Sequence, residues 1–325
     1  MTEVKRHEVS ADEHGMRLDR WFKVHFPQVT FAYLNKLTRT GQVRVGAGRV
    51  KTNTRLESGQ EIRVPPLAFD RRPADAPKED VPPLTVKERA LFQSMILHED
   101  QDLFVLNKPS GFAVQGGTKT HLHLDGLLMG LGIDLGERPL LVHRLDRDTS
   151  GVIVVAKRRA VAAALGKLFA TRVVKKTYWA LVKGVPDPAQ GRIDVALIKA
   201  RSEEGDRMRA SKPGEEEDEQ RAITQYAVLD KAGTAASWVS LKPLTGRQHQ
   251  LRAHMNHIGT PILGDNKYRG DIGLPEGISN QLHLHARRLV FPHPRGGVVD
   301  LTAPLPRHML ESFAALGFDA ERFDD

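Results

Sequence analysis

An α+β architecture is the fold class this sequence predicts: a mixed, largely antiparallel sheet with helices beside it, preceded by a small α+β module. Three observations predict it. Apolar runs of strand length recur at 103–107, 152–156, 178–182, 223–229 and 238–241. The last two follow one another with no room for the helical crossover that a parallel pair requires. Helical periodicity in that region is confined to 158–170 and 247–258.

Taken in order, Leu18, Trp21, Phe22 and Phe26 repeat at helical spacing, and Pro27 ends that helix. Thr30 can cap a second helix carrying Phe31, Leu34, Lys36 and Leu37, with Gly41 as its stop. Short strands follow at 42–45, 49–51 and 62–64, the first two joined by a turn at Gly46-Ala47-Gly48, with basic residues at outward positions. Residues 1–64 therefore form one module. Residues 65–90 are rich in proline and charge, without apolar periodicity, and read as a linker. Residues 91–325 form the second domain. Its helix at 158–170 should face Val161, Ala164, Leu165, Leu168 and Phe169 inward, and the helix at 247–258 should use Leu251, Met255 and Ile258. Residues 202–219, with 8 acidic and 3 basic residues, read as a mobile insert.

The chain has 325 residues, a formal net charge of +8 and no cysteine. Disulfides and thiolate metal sites are excluded. The start is polar and unlike a signal peptide, and no run approaches a membrane span, so a soluble cytoplasmic protein is expected. The basic charge is uneven: 12 Lys/Arg against 7 Asp/Glu in residues 1–64, and 10 against 2 in residues 143–183. Phosphates are the natural counter-charge.

The second basic stretch opens with His143-Arg144-Leu145-Asp146-Arg147-Asp148-Thr149-Ser150-Gly151, then an apolar run from Val152 to Ala156. This is a loop entering a buried strand, a position where scaffolds place reactive side chains. Asp146 sits among arginines, and a neighbouring cation favours the carboxylate form. A salt-bridged loop without chemistry is the alternative.

HRLDRDTSG resembles the active-site signature of the RluA family of RNA pseudouridine synthases, closest to its RluC branch. Three further segments agree in order. They are Glu99 through Asn107-Lys108-Pro109 to Gly111, then Lys175-Lys176-Thr177-Tyr178-Trp179-Ala180, and finally Gly246-Arg247-Gln248-His249-Gln250-Leu251-Arg252-Ala253-His254 with Pro261 to Tyr268 beyond it. Leu284-His285-Ala286 and Phe291-Pro292-His293-Pro294 fit the closing strands. Residues 1–64 resemble the RNA-binding module named for the fourth small-subunit ribosomal protein, with Lys36, Arg39, Arg44, Arg49 and Lys51 as candidate RNA contacts.

The resemblance implies isomerisation of uridine to pseudouridine in RNA, with large-subunit (23S) ribosomal RNA as the expected substrate. Transfer RNA, or a non-catalytic role in ribosome assembly, are the competing readings. The implied catalytic residues are Asp146, Tyr178 and Arg252. Asp146 would attack the base, attack the sugar, or take a sugar proton. Arg252 would pair with it, and Tyr178 would stack on uracil or donate a proton. Arg144 would fill the space left by the extruded base. Arg147, Lys176, Arg247 and His249 would complete the substrate contacts. Thr149 and Ser150 would fix the loop through bonds to backbone, Gly151 would allow a tight turn, and Asn107-Lys108-Pro109 would be structural or touch phosphate. No cofactor and no metal are expected; His249, His254, His257, His283 and His285 match no zinc signature. A monomer is expected.

Overall fold

The computed structural model describes residues 4–67, 82–116, 122–200, 207–212, 214–215, 219–268 and 273–323. The chain divides into two compact units, Met1–Asp80 and Val81–Asp325.

In the first unit, strand β1 (Lys5–Glu8) precedes helices α1 (Leu18–His25) and α2 (Phe31–Arg39) and strands β2 (Arg44–Val45), β3 (Gly48–Arg49) and β4 (Glu61–Val64). The strands form an antiparallel sheet in the order β1-β4-β2-β3. The Thr30 side chain accepts from the Tyr33 N–H, as its capping role requires, and Gly41 takes a left-handed φ of 69° just past the end of α2. Leu18, Trp21, Phe22, Leu34, Leu37, Val43, Leu56 and Ile62 close the core between helices and sheet. Phe31, counted with the helical repeat, instead lies 59% exposed.

The second unit begins inside the stretch read as a linker. Thr85 and Glu88 form a reciprocal capping box at the start of α3 (Val86–Met95), and at the other end Leu67 is buried in the core of the first unit. The linker reading is corrected at both ends; residues 68–81 lie outside the described residues. Next come β5 (Ile96–Glu99), β6 (Leu103–Lys108), α4 (Leu124–Leu135), β7 (Leu140–Leu141), β8 (Ser150–Ala156), α5 (Arg159–Phe169) and β9 (Lys175–Lys183). They are followed by β10 (Gln190–Asp194), β11 (Leu197–Ala200), β12 (Arg207–Ala210), β13 (Ile223–Ala232), β14 (Ala236–Pro243), α6 (Gln250–His257), β15 (Leu284–Pro292), β16 (Val298–Thr302) and α7 (Arg307–Leu316).

The main sheet runs β10-β13-β14-β9-β15-β8-β6-β5, with β16 on β15 and β7 on β8. Only β8 and β15 pair parallel among the described strands, so the sheet is mixed and mostly antiparallel, as predicted. Strand β8 shows no alternation because both faces are covered. Ile153 and Val155 pack with α3 and α4 residues, while Val152, Val154 and Ala156 pack with Val161 and Leu165 of α5. Ala164, expected inward on α5, is exposed, and Ala162 packs instead. Leu251, Met255 and Ile258 do seat α6 on Val239 and Leu241 of β14.

The acidic insert is likewise corrected. β12 pairs antiparallel with β11, Arg209 forms a two-pronged ion pair with Glu215, and Met208 is buried against Leu197, Ala253 and Tyr268. Residues 202–206, 213 and 216–218 of the insert lie outside the described residues.

Candidate active site

The HRLDRDTSG loop enters the middle of the sheet. Its first residue is an anchor: the His143 Nε2 atom accepts from the Val154 N–H at 2.9 Å, and the ring stacks on Phe169. Burial pushes this imidazole down to about 3, so the ring is neutral. Leu145 is buried in the core beside α4. At the exit, the Ser150 hydroxyl pairs with His285 Nδ1 at 2.9 Å, a side-chain partner rather than the expected backbone one. Gly151 sits at φ 110°, and a Cβ there would lie 2.2 Å from the Ala286 carbonyl oxygen of β15. Only glycine permits that approach.

The end of β6 clamps the same loop. The Lys108 ammonium is fully buried and donates to the carbonyls of Pro109, Phe112 and Arg147 at 2.9, 2.8 and 2.8 Å. Ser110 Oγ donates to the Asp148 carbonyl at 2.9 Å. Burial lowers Lys108 to about 7, against the pull of Asp148 and Asp146. Lys108 is thus structural, tying three loop carbonyls together.

Between these anchors the Asp146 side chain keeps 22% of its surface exposed. Arg252 Nη1 lies 3.7 Å from Asp146 Oδ2 and His249 Nε2 lies 3.8 Å from it. Arg252, 5% exposed, is held in two-pronged contact by Asp265, whose side chain is wholly buried, with both N–H···O distances at 2.7 Å. Burial opposes the Arg252 charge, but Asp265 and Asp146 more than offset it and raise its pKa. Arg252 therefore does meet Asp146, yet its strong partner is Asp265. Sequence reasoning gave Asp265 no role, although it lies in the Pro261–Tyr268 segment that carries the resemblance.

Tyr178 on β9 stands opposite Ala286 of β15, which in turn neighbours Gly151 of β8. This register brings Tyr178 to the loop. Burial first, and then the charge of Asp146, raise the phenol well above its ordinary value, so it stays protonated at neutral pH. The site therefore joins a carboxylate, two cation-capable groups beside it and a neutral phenol.

Comparison with known proteins decides what this assembly belongs to. A family model described as RNA pseudouridylate synthase matches residues 102–257. Ribosomal large subunit pseudouridine synthase C of Escherichia coli (strain K12) is 36% identical over 312 residues, 93% of this chain and 93% of that protein. The chain belongs to the RNA pseudouridine synthase family. The Vibrio cholerae protein of the same name is 32% identical over 325 residues, 97% of this chain and 98% of its own length. Among solved structures, human RNA pseudouridylate synthase domain containing 4 superposes with a TM-score of 0.62 at 32% identity, covering 73% of this chain and 99% of that one.

In this pseudouridine synthase the other expected substrate contacts are scattered. Arg144 is exposed on the active-site loop. Arg147 is exposed and pairs with Asp148. Lys176 lies over the Phe169 ring at 5.2 Å, and burial lowers its pKa. Arg247 donates to the Arg221 carbonyl at 3.0 Å. In the first unit, Lys36 and Arg39 line a groove with Lys51 and Thr52, while Arg44 donates to the Gly41 carbonyl and Arg49 packs at Gly41. Three other histidines make buried structural contacts. His254 bonds Thr224, His283 bonds Ser312 and His308 bonds the Leu282 carbonyl. Among the described residues no group of three metal-ligating side chains converges. No described helix is long and apolar enough to cross a membrane.

Proposed function

We propose that this pseudouridine synthase modifies large-subunit ribosomal RNA, with Asp146 as its catalytic carboxylate. The observation that carries the reading is the partly exposed Asp146 oxygen facing the Arg252 guanidinium at 3.7 Å, on a loop fixed at both ends. The reaction cleaves the C–N bond between ribose and uracil, turns the base, and rejoins it through a ring carbon, with the displaced ring proton lost and nitrogen reprotonated. Such a reaction needs one aimed carboxylate at the ribose–base junction, acting as base or nucleophile. Arg252 aims it. Tyr178, neutral, presents a stacking face and a hydroxyl donor to the uracil; its raised pKa unsuits it to act as a base.

The target uridine must leave its helix or loop, at a cost of a few kcal/mol. Arg144, exposed beside Asp146, takes its place by stacking and binding phosphate. Arg147, Lys176 and Arg247 contribute positive potential around the loop. Lys36, Arg39 and Arg44 of the first unit hold RNA phosphates away from the chemistry. The enzyme works as a cytoplasmic monomer without metal or cofactor. The relatives are named for pseudouridine synthesis in the ribosomal large subunit, which supports the choice of RNA.

Pseudouridine mapping in cells lacking this protein tests the substrate. Loss of pseudouridines from large-subunit ribosomal RNA, restored by the wild-type gene, is the expected result. Loss confined to transfer RNA would overturn it.

A further inference from the structure

The resemblance makes His249 a substrate contact. Its surroundings give it a different task. It is the only non-glycine residue with positive φ among those described (49°), and it stands at the head of α6 with its side chain 9% exposed. Such a backbone conformation is uncommon for a residue other than glycine, asparagine or aspartate, and it marks a side chain whose placement the surroundings dictate. The ring points Nε2 at Asp146 Oδ2, 3.8 Å away, and Nδ1 at the Tyr268 hydroxyl, 3.2 Å away.

The Tyr268 oxygen already accepts a hydrogen bond from the Met208 N–H at 2.7 Å. A phenol has one proton to give, and Nδ1 is its acceptor among the described residues. The histidine therefore carries its own proton on Nε2, facing Asp146. The Tyr268 ring also lies 5.2 Å from the Arg252 guanidinium carbon, and its N–H bonds the carbonyl of Asp265, the residue that grips Arg252. One tyrosine thus touches both groups that face Asp146, and β12 of the acidic hairpin rests on that tyrosine.

We propose that Tyr268 and His249 are positioning residues of the isomerisation: Tyr268 fixes His249 as the Nε2–H tautomer, which supplies Asp146 with a second donor beside Arg252. The contact closes to hydrogen-bond length when RNA fills the cleft, as catalytic hydrogen bonds commonly do. The β11–β12 hairpin, through Met208, holds the tyrosine in place. The inference rests on Asp146 being the catalytic carboxylate.

The test is a kinetic cycle on a large-subunit ribosomal RNA transcript, with melting temperature followed for each variant. His249→Asn tolerates the positive φ and keeps an amide near Tyr268, but is too short to reach Asp146. His249→Gln extends a donor toward it. Tyr268→Phe removes only the hydroxyl. His249→Asn should lower kcat about tenfold or more, the size expected for one hydrogen bond to a charge, with KM within about twofold. His249→Gln should recover most of that loss. Tyr268→Phe combined with His249→Asn should be no slower than His249→Asn alone. A raised KM with kcat intact, additive losses in the double variant, or unchanged kcat in His249→Asn would each overturn the proposal. If Tyr268→Phe unfolds because the Met208 N–H is orphaned, the Asn and Gln variants at 249 still decide. Asp146→Asn, run in parallel, separates the two claims. An active Asp146→Asn removes the catalytic reading, whereas an inactive one beside a fully active His249→Asn removes this inference alone.

Discussion

Arg252 stands between two carboxylates of different character. Asp265 is wholly buried and bonded to it at two points, whereas Asp146 is partly exposed and 3.7 Å away. The buried pair holds the guanidinium still, and the looser contact is the one free to respond to substrate. Removing one member of a buried pair leaves an uncompensated charge and costs about 3–5 kcal/mol. Asp265→Ala should therefore lose about that much stability in chemical denaturation, and lose kcat as well because Arg252 is released. A loss below about 1 kcal/mol would show that the pair does not hold the site. Asp146, Tyr178 and Arg252 were legible because each lies in a compact signature. Lys108, Asp265 and Tyr268 also lie in segments of the resemblance, but their partners are not legible there, since their work consists of contacts between a loop, a strand end and a helix far apart in sequence. Local spacing carries no trace of such contacts.

Strands β8, β15 and β9 carry the loop and Tyr178 in adjacent register, and Gly151 allows the parallel pairing of β8 with β15 to close. Gly151→Ala forces a Cβ against the backbone of β15 at a positive φ. Overpacking costs typically about 1–3 kcal/mol, and backbone has less room to yield than a side chain. The expected result is a lower melting temperature together with a kcat loss, because Asp146 lies only five residues upstream. Unchanged stability would mean that β8 and β15 are not in this register. Strands β6, β8, β9, β13 and β14 were readable as apolar runs and helices α1, α2, α5 and α6 by their periodicity. Helix α4 was missed because Gly126, Gly130 and Gly132 dilute its helical signal, although Gly130 serves a close approach: a Cβ there would meet Leu84 at 2.7 Å. Strand β1, Lys-Arg-His-Glu, has no apolar residue at all and is made by its pairing with β4.

At the scale of the whole molecule the chain forms two compact units, and its net charge of +8 is suited to a polyanion. The uneven charge was visible directly, and so was the break between units, but not its edges. Thr85 and Leu67 look like linker residues until their partners are known. If Lys36, Arg39 and Arg44 each hold one phosphate, deleting Met1–Asp80 should weaken RNA binding. It should also flatten the slope of log affinity against log salt by about 0.7–0.9 per contact, or about 2 to 3 in all. An unchanged slope between low and moderate salt would show that the basic rim of the first unit does not touch RNA. The most direct test is the pseudouridine content of an unmodified large-subunit ribosomal RNA transcript after incubation with wild-type or Asp146→Asn protein at equal RNA occupancy. Wild-type protein should form pseudouridine and Asp146→Asn should bind equally well and form none; pseudouridine accumulating with Asp146→Asn would contradict the account.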